Sequence, residues 1–513
     1  MKKVLGRVLI ILPAVALQIA WYVLVMGVLN NLLGGYLGDI VSVVFTILAV
    51  IFVTELVVKR DESSYKLLWV ILIVAFPVFG AILYFFVGNK RTGRVLKKKL
   101  EESMKNIPVP ENRASKRYLE DIRRDDLRLG QTLAHLSEST GFPVYKNGTS
   151  KYYPMGEDMF ADMIEDLKKA KHYIYFEYFI IQSGKFLDTL IDIMAEKAQA
   201  GVDVRIMYDD LGCIATFSPE ERAALERRGI KCIPFNQFFL IRSQLNNRDH
   251  RKIMVIDGSV AYSGGVNIAD EYINEKVVYG KWKDIGFRIT GEAVMSYAYM
   301  FVEFWNAFSE DKIEITDELV NPGGARHMPD GGNGYILPYY DSPMREEHTS
   351  NELFTEILSS ATDYVWFYTP YLILGDALYD AFIRAAKRGV DVRIMMPGIP
   401  DKKMVYRLSR SYYDDLLKAG VRVFEYEPGF VHAKAFIADD KIAGIGTVNL
   451  VYRSLFLHFE CNAVFYKADI IKDLKKDIID AERQSVERFI GDVKHGVLYR
   501  FGNNLLRLIA PLL

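Results

Sequence analysis

One heptapeptide occurs twice in the chain. Gly201-Val202-Asp203-Val204-Arg205-Ile206-Met207 returns unchanged as Gly389-Val390-Asp391-Val392-Arg393-Ile394-Met395, and its surroundings return with it. Upstream, the run 172–178 is matched by 363–369; both are short and rich in aromatic and β-branched residues, and both read as buried strands. In each copy a stretch of helical periodicity follows and ends at Gly201 or Gly389. A second helical stretch then leads through Gly229-Ile230-Lys231-Cys232 or Gly420-Val421-Arg422-Val423 into another strand. Strands alternating with helices confine the chain to the α/β class, with helix-covered sheets. Two similar halves imply a pseudo-two-fold arrangement that brings equivalent positions to one shared cleft.

The next strand of each copy carries a spaced triplet, His250-x-Lys252 with Asp257 and His432-x-Lys434 with Asp439. The chain has only eight histidines, so two matches at equivalent repeat positions are no coincidence. Residues two apart on a strand share a face, which sets an imidazole beside an ammonium group twice. That is the equipment phosphodiester chemistry through a phosphohistidine needs. Asp257-Gly258 and Asp439-Asp440 read as hairpin turns. Seven residues of strand put each Asp roughly 20 Å from its own His, so it is expected to fix a turn and not the imidazole. The return strands bring Gly264-Gly265 and Gly446-Thr447 back opposite the histidines, where small residues let a phosphate approach the backbone. Asn267 and Asn449 follow as amide donors to a phosphoryl oxygen. A catalytic imidazole needs a group to hold its tautomer. With the motif Asp too distant, that group is expected from later in the chain; Glu460 and Asp284 are the candidates, against an ordinary surface or capping role for each. The other histidines, at 135, 172, 327, 348, 458 and 495, have no such company and are expected to be structural.

A net charge of −1 gives no global basic field for nucleic acid. Cys213, Cys232 and Cys461 have neither disulfide nor zinc spacing, and no metal is expected. Apolar runs at 8–33, 37–58 and 67–87 are each long enough to cross a bilayer and contain no Lys or Arg. Basic residues flank the first run, lie between the second and third, and cluster most strongly at 90–99. Three full spans would put the first and last clusters on opposite sides. Either the N-terminus is outside or one of the first two runs dips in without crossing. The strongest cluster places the soluble part in the cytoplasm. Segment Arg94–Lys105 mixes apolar and basic residues and reads equally as a helix on an anionic membrane surface or a solvated linker. The expected organisation is a membrane anchor of two to three helices at 1–91, a basic linker at 92–130, and α/β halves at 131–320 and 331–513. A Pro/Gly-rich joint at 321–334 separates the halves.

Together these features resemble the phospholipase D superfamily, whose mark is two His-x-Lys-x-x-x-x-Asp motifs. Within it they are similar to the bacterial cardiolipin synthases. The likeness is carried by Pro77-Val78-Phe79-Gly80-Ala81-Ile82-Leu83-Tyr84 in the apolar N-terminus, Gly264-Gly265-x-Asn267, Trp282-x-Asp284, Gly446-Thr447-x-Asn449 with Arg453-Ser454, and the C-terminal Leu508-Ile509-Ala510-Pro511-Leu512-Leu513. It covers almost the whole chain; three apolar runs where two are frequent is the departure. The resemblance implies N-terminal transmembrane helices followed by two phospholipase D-like α-β-α domains sharing one active-site cleft. It implies a multi-pass protein of the cell membrane that transfers a phosphatidyl group from one phosphatidylglycerol to another, giving cardiolipin and glycerol, with no cofactor. Phosphatidylglycerol, other anionic phospholipids and the membrane are the implied partners; the oligomeric state stays open. His250, Lys252, Asp257, His432, Lys434 and Asp439 become the catalytic set, and Gly265, Asn267, Thr447 and Asn449 the substrate-binding set. One His attacks phosphorus while the other protonates the departing glycerol oxygen and deprotonates the incoming hydroxyl. Analogy favours His250 as nucleophile and His432 as acid/base, although the near-symmetric halves do not distinguish them. A phospholipase D-type hydrolase, using the same site with water as acceptor, is the alternative.

Overall fold

A computed structural model of the chain describes residues 23, 36–59, 61–76, 80–81, 83–84, 94–107, 110, 112–146, 148–237, 246–320, 332–492 and 496–510. Contacts divide it into two compact units, Met1–Arg94 with Asn504–Leu512 and Val95–Asn503 with Leu513. In the first unit, helix Tyr36–Val58 leaves Val43, Ile47, Val50 and Ile51 exposed, while helix Ser63–Ala75 buries Tyr65, Leu68, Trp69 and Ile73. Among the described residues no helix is long and apolar enough to cross a membrane. The apolar run at 8–33, apart from Val23, lies outside the described residues, as do parts of the run at 67–87 and the first part, 321–331, of the joint at 321–334.

The second unit contains two large sheets with one strand order, beside two two-stranded ones. The smaller of the large pair runs Ser150–Tyr153, Gly286–Thr290, Val260–Gly264, Lys252–Ile256, Tyr173–Tyr178, Asp203–Asp209 and Lys231–Phe235. Its counterpart runs Tyr335–Asp341, Glu460–Tyr466, Ile442–Gly446, Ala435–Ala438, Tyr364–Tyr368, Asp391–Pro397 and Arg422–Tyr426, extended at its edges by Tyr145–Lys146 and Ser485–Arg488. The repeated heptapeptide supplies the same parallel strand in both, Asp203–Asp209 against Tyr173–Tyr178 and Asp391–Pro397 against Tyr364–Tyr368. Tyr145–Lys146 lies within the first half in sequence yet pairs with Tyr335–Asp341, so the chain laces the two sheets together.

Strand Tyr173–Tyr178 is buried at all six positions because helices cover both faces. Ile174, Phe176 and Tyr178 join a core with Phe186, Leu190 and Met194 of helix Lys185–Gln199, whose buried residues recur at helical spacing. On the other face Tyr175 stacks on Phe301 of helix Val294–Phe308, with ring centroids 4.6 Å apart. The helices preceding the repeated strands both end in glycine, Gly201 at φ 93° and Gly389 at φ 92°. A Cβ there would meet nothing within 4 Å, so backbone conformation rather than crowding calls for glycine. Helix Arg94–Lys105, read as membrane-bound or solvated, packs on the protein: Leu96 and Leu100 are buried and Ser103 Oγ donates to the Glu303 carbonyl.

Candidate active site

Both motif histidines lie just ahead of their strands, which begin at Lys252 and Ala435. The approach segments pair with the other half instead. His250 N donates to the Phe459 carbonyl at 2.9 Å, and Phe459 N donates to Arg248 O at 2.9 Å. In the second half His432 N donates to Lys283 O at 2.7 Å, continuing a parallel pairing of Gly429–Val431 with Lys281–Lys283. This register delivers a carboxylate one residue further on. Glu460 Oε2 lies 2.8 Å from His250 Nδ1, and Asp284 Oδ2 lies 2.6 Å from His432 Nδ1. Each imidazole is thus oriented by the opposite half, leaving its Nε2 for chemistry. For His432 that partner precedes it by 148 residues, correcting the expectation of a group from later in the chain.

Lys252 Nζ donates to the His250 carbonyl at 2.7 Å, and Lys434 Nζ reaches both the His432 carbonyl and, at 2.8 Å, Nδ1. Nδ1 has one hydrogen-bonding role. The buried negative charge of Asp284 directs its hydrogen to the carboxylate and leaves Lys434 on the carbonyl. Asp257 and Asp439, expected in the catalytic set by resemblance, sit elsewhere. Asp257 accepts from the backbone N–H groups of Lys171, His172 and Tyr173, and Asp439 from those of Thr362, Asp363 and Tyr364. Both adopt positive φ in the hairpin and clamp the start of the neighbouring strand.

Two of the small residues, Gly265 and Thr447, meet the crossed carboxylates. A Cβ on Gly265 would lie 2.0 Å from Asp284 Oδ1, so glycine makes room for that side chain. Thr447 Oγ1 and Ser454 Oγ both donate to Glu460. Asn267, expected to donate to a phosphoryl oxygen, accepts from Ile180 N and donates to the Tyr272 hydroxyl, whose ring packs edge-on against His432 at 5.3 Å. It therefore positions the pocket wall. Asn449 keeps a buried side-chain oxygen without a hydrogen-bond partner among the described residues.

Six ionisable groups, His250, His432, Lys252, Lys434, Asp284 and Glu460, are buried together. Burial and the neighbouring Lys252 hold His250 well below the usual histidine range. Burial and Lys434 bring His432 down to about 4, against the opposing pull of Asp284. Burial brings Lys252 down to about 8 and Lys434 to about 7. The carboxylates diverge. Burial pushes Glu460 up to about 8, whereas for Asp284 the His432 and Lys434 charges overcome burial and hold it below the usual carboxylate range. The halves are symmetric in fold but not in charge.

His458, expected to be merely structural, lies beside His250 with ring centroids 6.1 Å apart and a buried Nε2 lacking a hydrogen-bond partner among the described residues. Phe179 covers the other side of His250 at 4.8 Å. Asp477 accepts from Lys283, Tyr152 and Tyr368 and so fixes the strand Lys281–Lys283 that leads into Asp284. The signal for His458 was its place two residues before Glu460; for Asp477, on an ordinary amphipathic helix, there was none. His135 gathers with Glu347 and Glu352, their ligand atoms within 4.8 Å of one another, on exposed surface.

Comparison with known proteins places this geometry among relatives. Residues 163–279 and 354–480 match the family described as cardiolipin synthase, PLD-like domain, and residues 43–89 match the phospholipase D-nuclease N-terminal family. An uncharacterized protein of Streptococcus mutans is 39% identical over 90% of this chain and 99% of its own length. Cardiolipin synthase 2 of Bacillus anthracis is 33% identical, with 91% of each chain covered. Cardiolipin synthase of Geobacillus thermodenitrificans is 31% identical over 97% of this chain and 99% of its own. Among solved structures, phosphatidylserine synthase of Haemophilus influenzae shares the fold, with a TM-score of 0.57 at 15% identity over 75% of this chain and 100% of that one.

Proposed function

The chain belongs to the bacterial cardiolipin synthases of the phospholipase D superfamily, and from that premise we propose that it joins two phosphatidylglycerol molecules into cardiolipin and releases glycerol. The observation that carries the chemistry is the crossed pair of carboxylate-oriented imidazoles buried with two lysines. In the first step Nε2 of one histidine bonds to the donor phosphorus, and the glycerol oxygen departs with a proton from Nε2 of the other, which enters the step as an imidazolium favoured by the anionic phosphate of the bound donor. In the second step that imidazole takes the proton from the acceptor's glycerol hydroxyl. The freed oxygen bonds to phosphorus and the P–N bond breaks. Lys252 and Lys434 neutralise charge on the equatorial phosphoryl oxygens.

The divergent carboxylates support His250 as nucleophile. Glu460, with raised proton affinity, is suited to take the Nδ1 proton as the P–N bond forms and to return it as that bond breaks. Asp284 stays anionic and stabilises the imidazolium that His432 becomes on accepting the acceptor's proton. Asp257 and Asp439 act as clamps of the hairpins that carry the site. Residues 131–320 and 331–513 form the two catalytic halves, and 1–91 the anchor. The exposed Val43, Ile47, Val50 and Ile51 of helix Tyr36–Val58 support its place in lipid, and the basic cluster at 90–99 supports a multi-pass reading with the catalytic halves on the cytoplasmic side.

The test is detergent-purified protein incubated with phosphatidylglycerol alone, with cardiolipin, phosphatidic acid and glycerol quantified. Equal cardiolipin and glycerol, abolished in His250→Ala and His432→Ala, is the expected result. Phosphatidic acid in place of cardiolipin would make water the acceptor and overturn the synthase reading.

A further inference from the structure

Two surface loops meet on the His432 side of the site, and their exposed residues are of an unusual kind. Val277 is 77% and Val278 43% exposed, in the segment between Asp270–Ile273 and strand Lys281–Lys283. Ile399 is 40% and Met404 48% exposed, in the turn after strand Asp391–Pro397 and at the start of helix Lys403–Arg410. Single exposed apolar residues are ordinary on any protein. These are brought together: Gly280 bridges Gly429, Ile399 N donates to the Gly429 carbonyl at 3.2 Å, and a Cβ on Gly280 would lie 3.0 Å from Ile399 Cδ1. From that junction the chain runs directly into the site. Tyr279 packs on Trp282 and Phe430, and both of those rings pack on His432.

Lysines are set among the apolar residues. Lys276, Lys281 and Lys403 are exposed on the same two loops. Of the acids nearby, Glu275 pairs with Lys185 and Asp401 with Lys402. An exposed apolar tip ringed by lysines complements the headgroup layer of an anionic bilayer, where apolar side chains enter the acyl boundary and ammonium groups stay among phosphates.

We propose that the loops around Val277-Val278 and Ile399–Met404 form a rim that enters the surface of an anionic lipid bilayer and seats the His432 side of the cleft on it. The occupant is the bilayer itself, so a phosphatidyl lipid reaches the imidazoles without leaving the membrane. This rests on the phosphatidyltransferase reading of the site and adds to it the route of the substrate.

The test uses the full-length protein and a Val277→Asp, Val278→Asp double variant, assayed on phosphatidylglycerol vesicles and on short-chain phosphatidylglycerol below its micelle concentration. An aspartate at a lipid-facing position is strongly disfavoured, so vesicle turnover is expected to fall about tenfold or more. Short-chain turnover and the melting temperature should stay as in the parent. Equal loss on both substrates, or none on vesicles, overturns the rim. If the parent is inert on both substrates, the enzyme reading has failed and a second measurement decides the rim. Cys213, Cys232 and Cys461 are buried, so Val278→Cys can be labelled selectively with an environment-sensitive fluorophore in proteoliposomes. Quenching by nitroxide lipids at shallow depth supports the rim; emission of a water-exposed probe, unquenched, overturns it.

Discussion

Replacing Asp284 by Asn removes a single charge from a buried contact and leaves the shape unchanged. Asp284 Oδ2 sits 2.6 Å from His432 Nδ1, and its other oxygen accepts from Ile285 N at 2.8 Å, so the amide has a ready hydrogen-bonding place. Two unit charges at that separation attract by about 6 kcal/mol at an effective dielectric of about 20. Only the imidazolium state benefits fully. If the transition state realises half of this, the loss is about 3 kcal/mol, or somewhat more than a hundredfold in rate. With its oxygen kept on Ile285 N, the amide turns its NH2 toward Nδ1 and selects the wrong tautomer of His432, an effect that reaches about 10⁴-fold in a serine-protease triad. The expected result for Asp284→Asn is therefore a kcat between about a hundredfold and ten-thousandfold lower with KM nearly unchanged. The assay is initial-rate cardiolipin formation across phosphatidylglycerol concentrations, beside a melting curve that confirms folding. A kcat within threefold of the parent would show that the crossed carboxylate does not govern His432. A change confined to KM would move Asp284 to substrate binding.

Gly265→Ala should imitate that variant, because its Cβ would displace Asp284 from a position 2.0 Å away; kcat is expected to fall at least about tenfold, and parent-like turnover would refute the spatial argument. Asp257→Asn should do the opposite, lowering stability by about 1–3 kcal/mol in denaturant melts while turnover per folded molecule holds, since its carboxylate accepts three backbone amides and touches neither imidazole. kcat/KM should decline as pH rises through about 7 to 8, because Lys434 (about 7) and Lys252 (about 8) lose the protons that neutralise phosphate. A profile flat from pH 6 to 9 would contradict that charge requirement. Stability has the reverse sign for these lysines. Their folded values lie below their unfolded ones, so the unfolded chain binds more protons over the interval between and their contribution improves as pH rises. Glu460, raised to about 8, opposes them, its contribution being present below the unfolded value and lost as pH rises through the folded one. Removing Glu460 charge chemistry by Glu460→Gln should therefore steepen the alkaline gain in melting temperature.

Local sequence was enough for the α/β class and the repeated succession of strands and helices, and it singled out the two motif histidines. Strand alternation, helix periodicity and the repeated heptapeptide are short-range patterns, and duplication writes each of them twice. The position of each Asp away from its own His was also legible, since it follows from the rise of an extended strand and the turn chemistry of Asp-Gly and Asp-Asp. Tertiary structure alone decided which carboxylate serves which imidazole. His250 and Glu460 are 210 residues apart, and their meeting depends on the register between segments of different halves, about which spacing within either half says nothing. The same contact decided what the small residues are for: Gly265 and Thr447 face the incoming carboxylates, a purpose invisible until the halves are docked. It also decided the asymmetry of charge. The two crossed carboxylates differ in proton affinity because each is buried among its own particular neighbours, and burial is a property of the assembled fold.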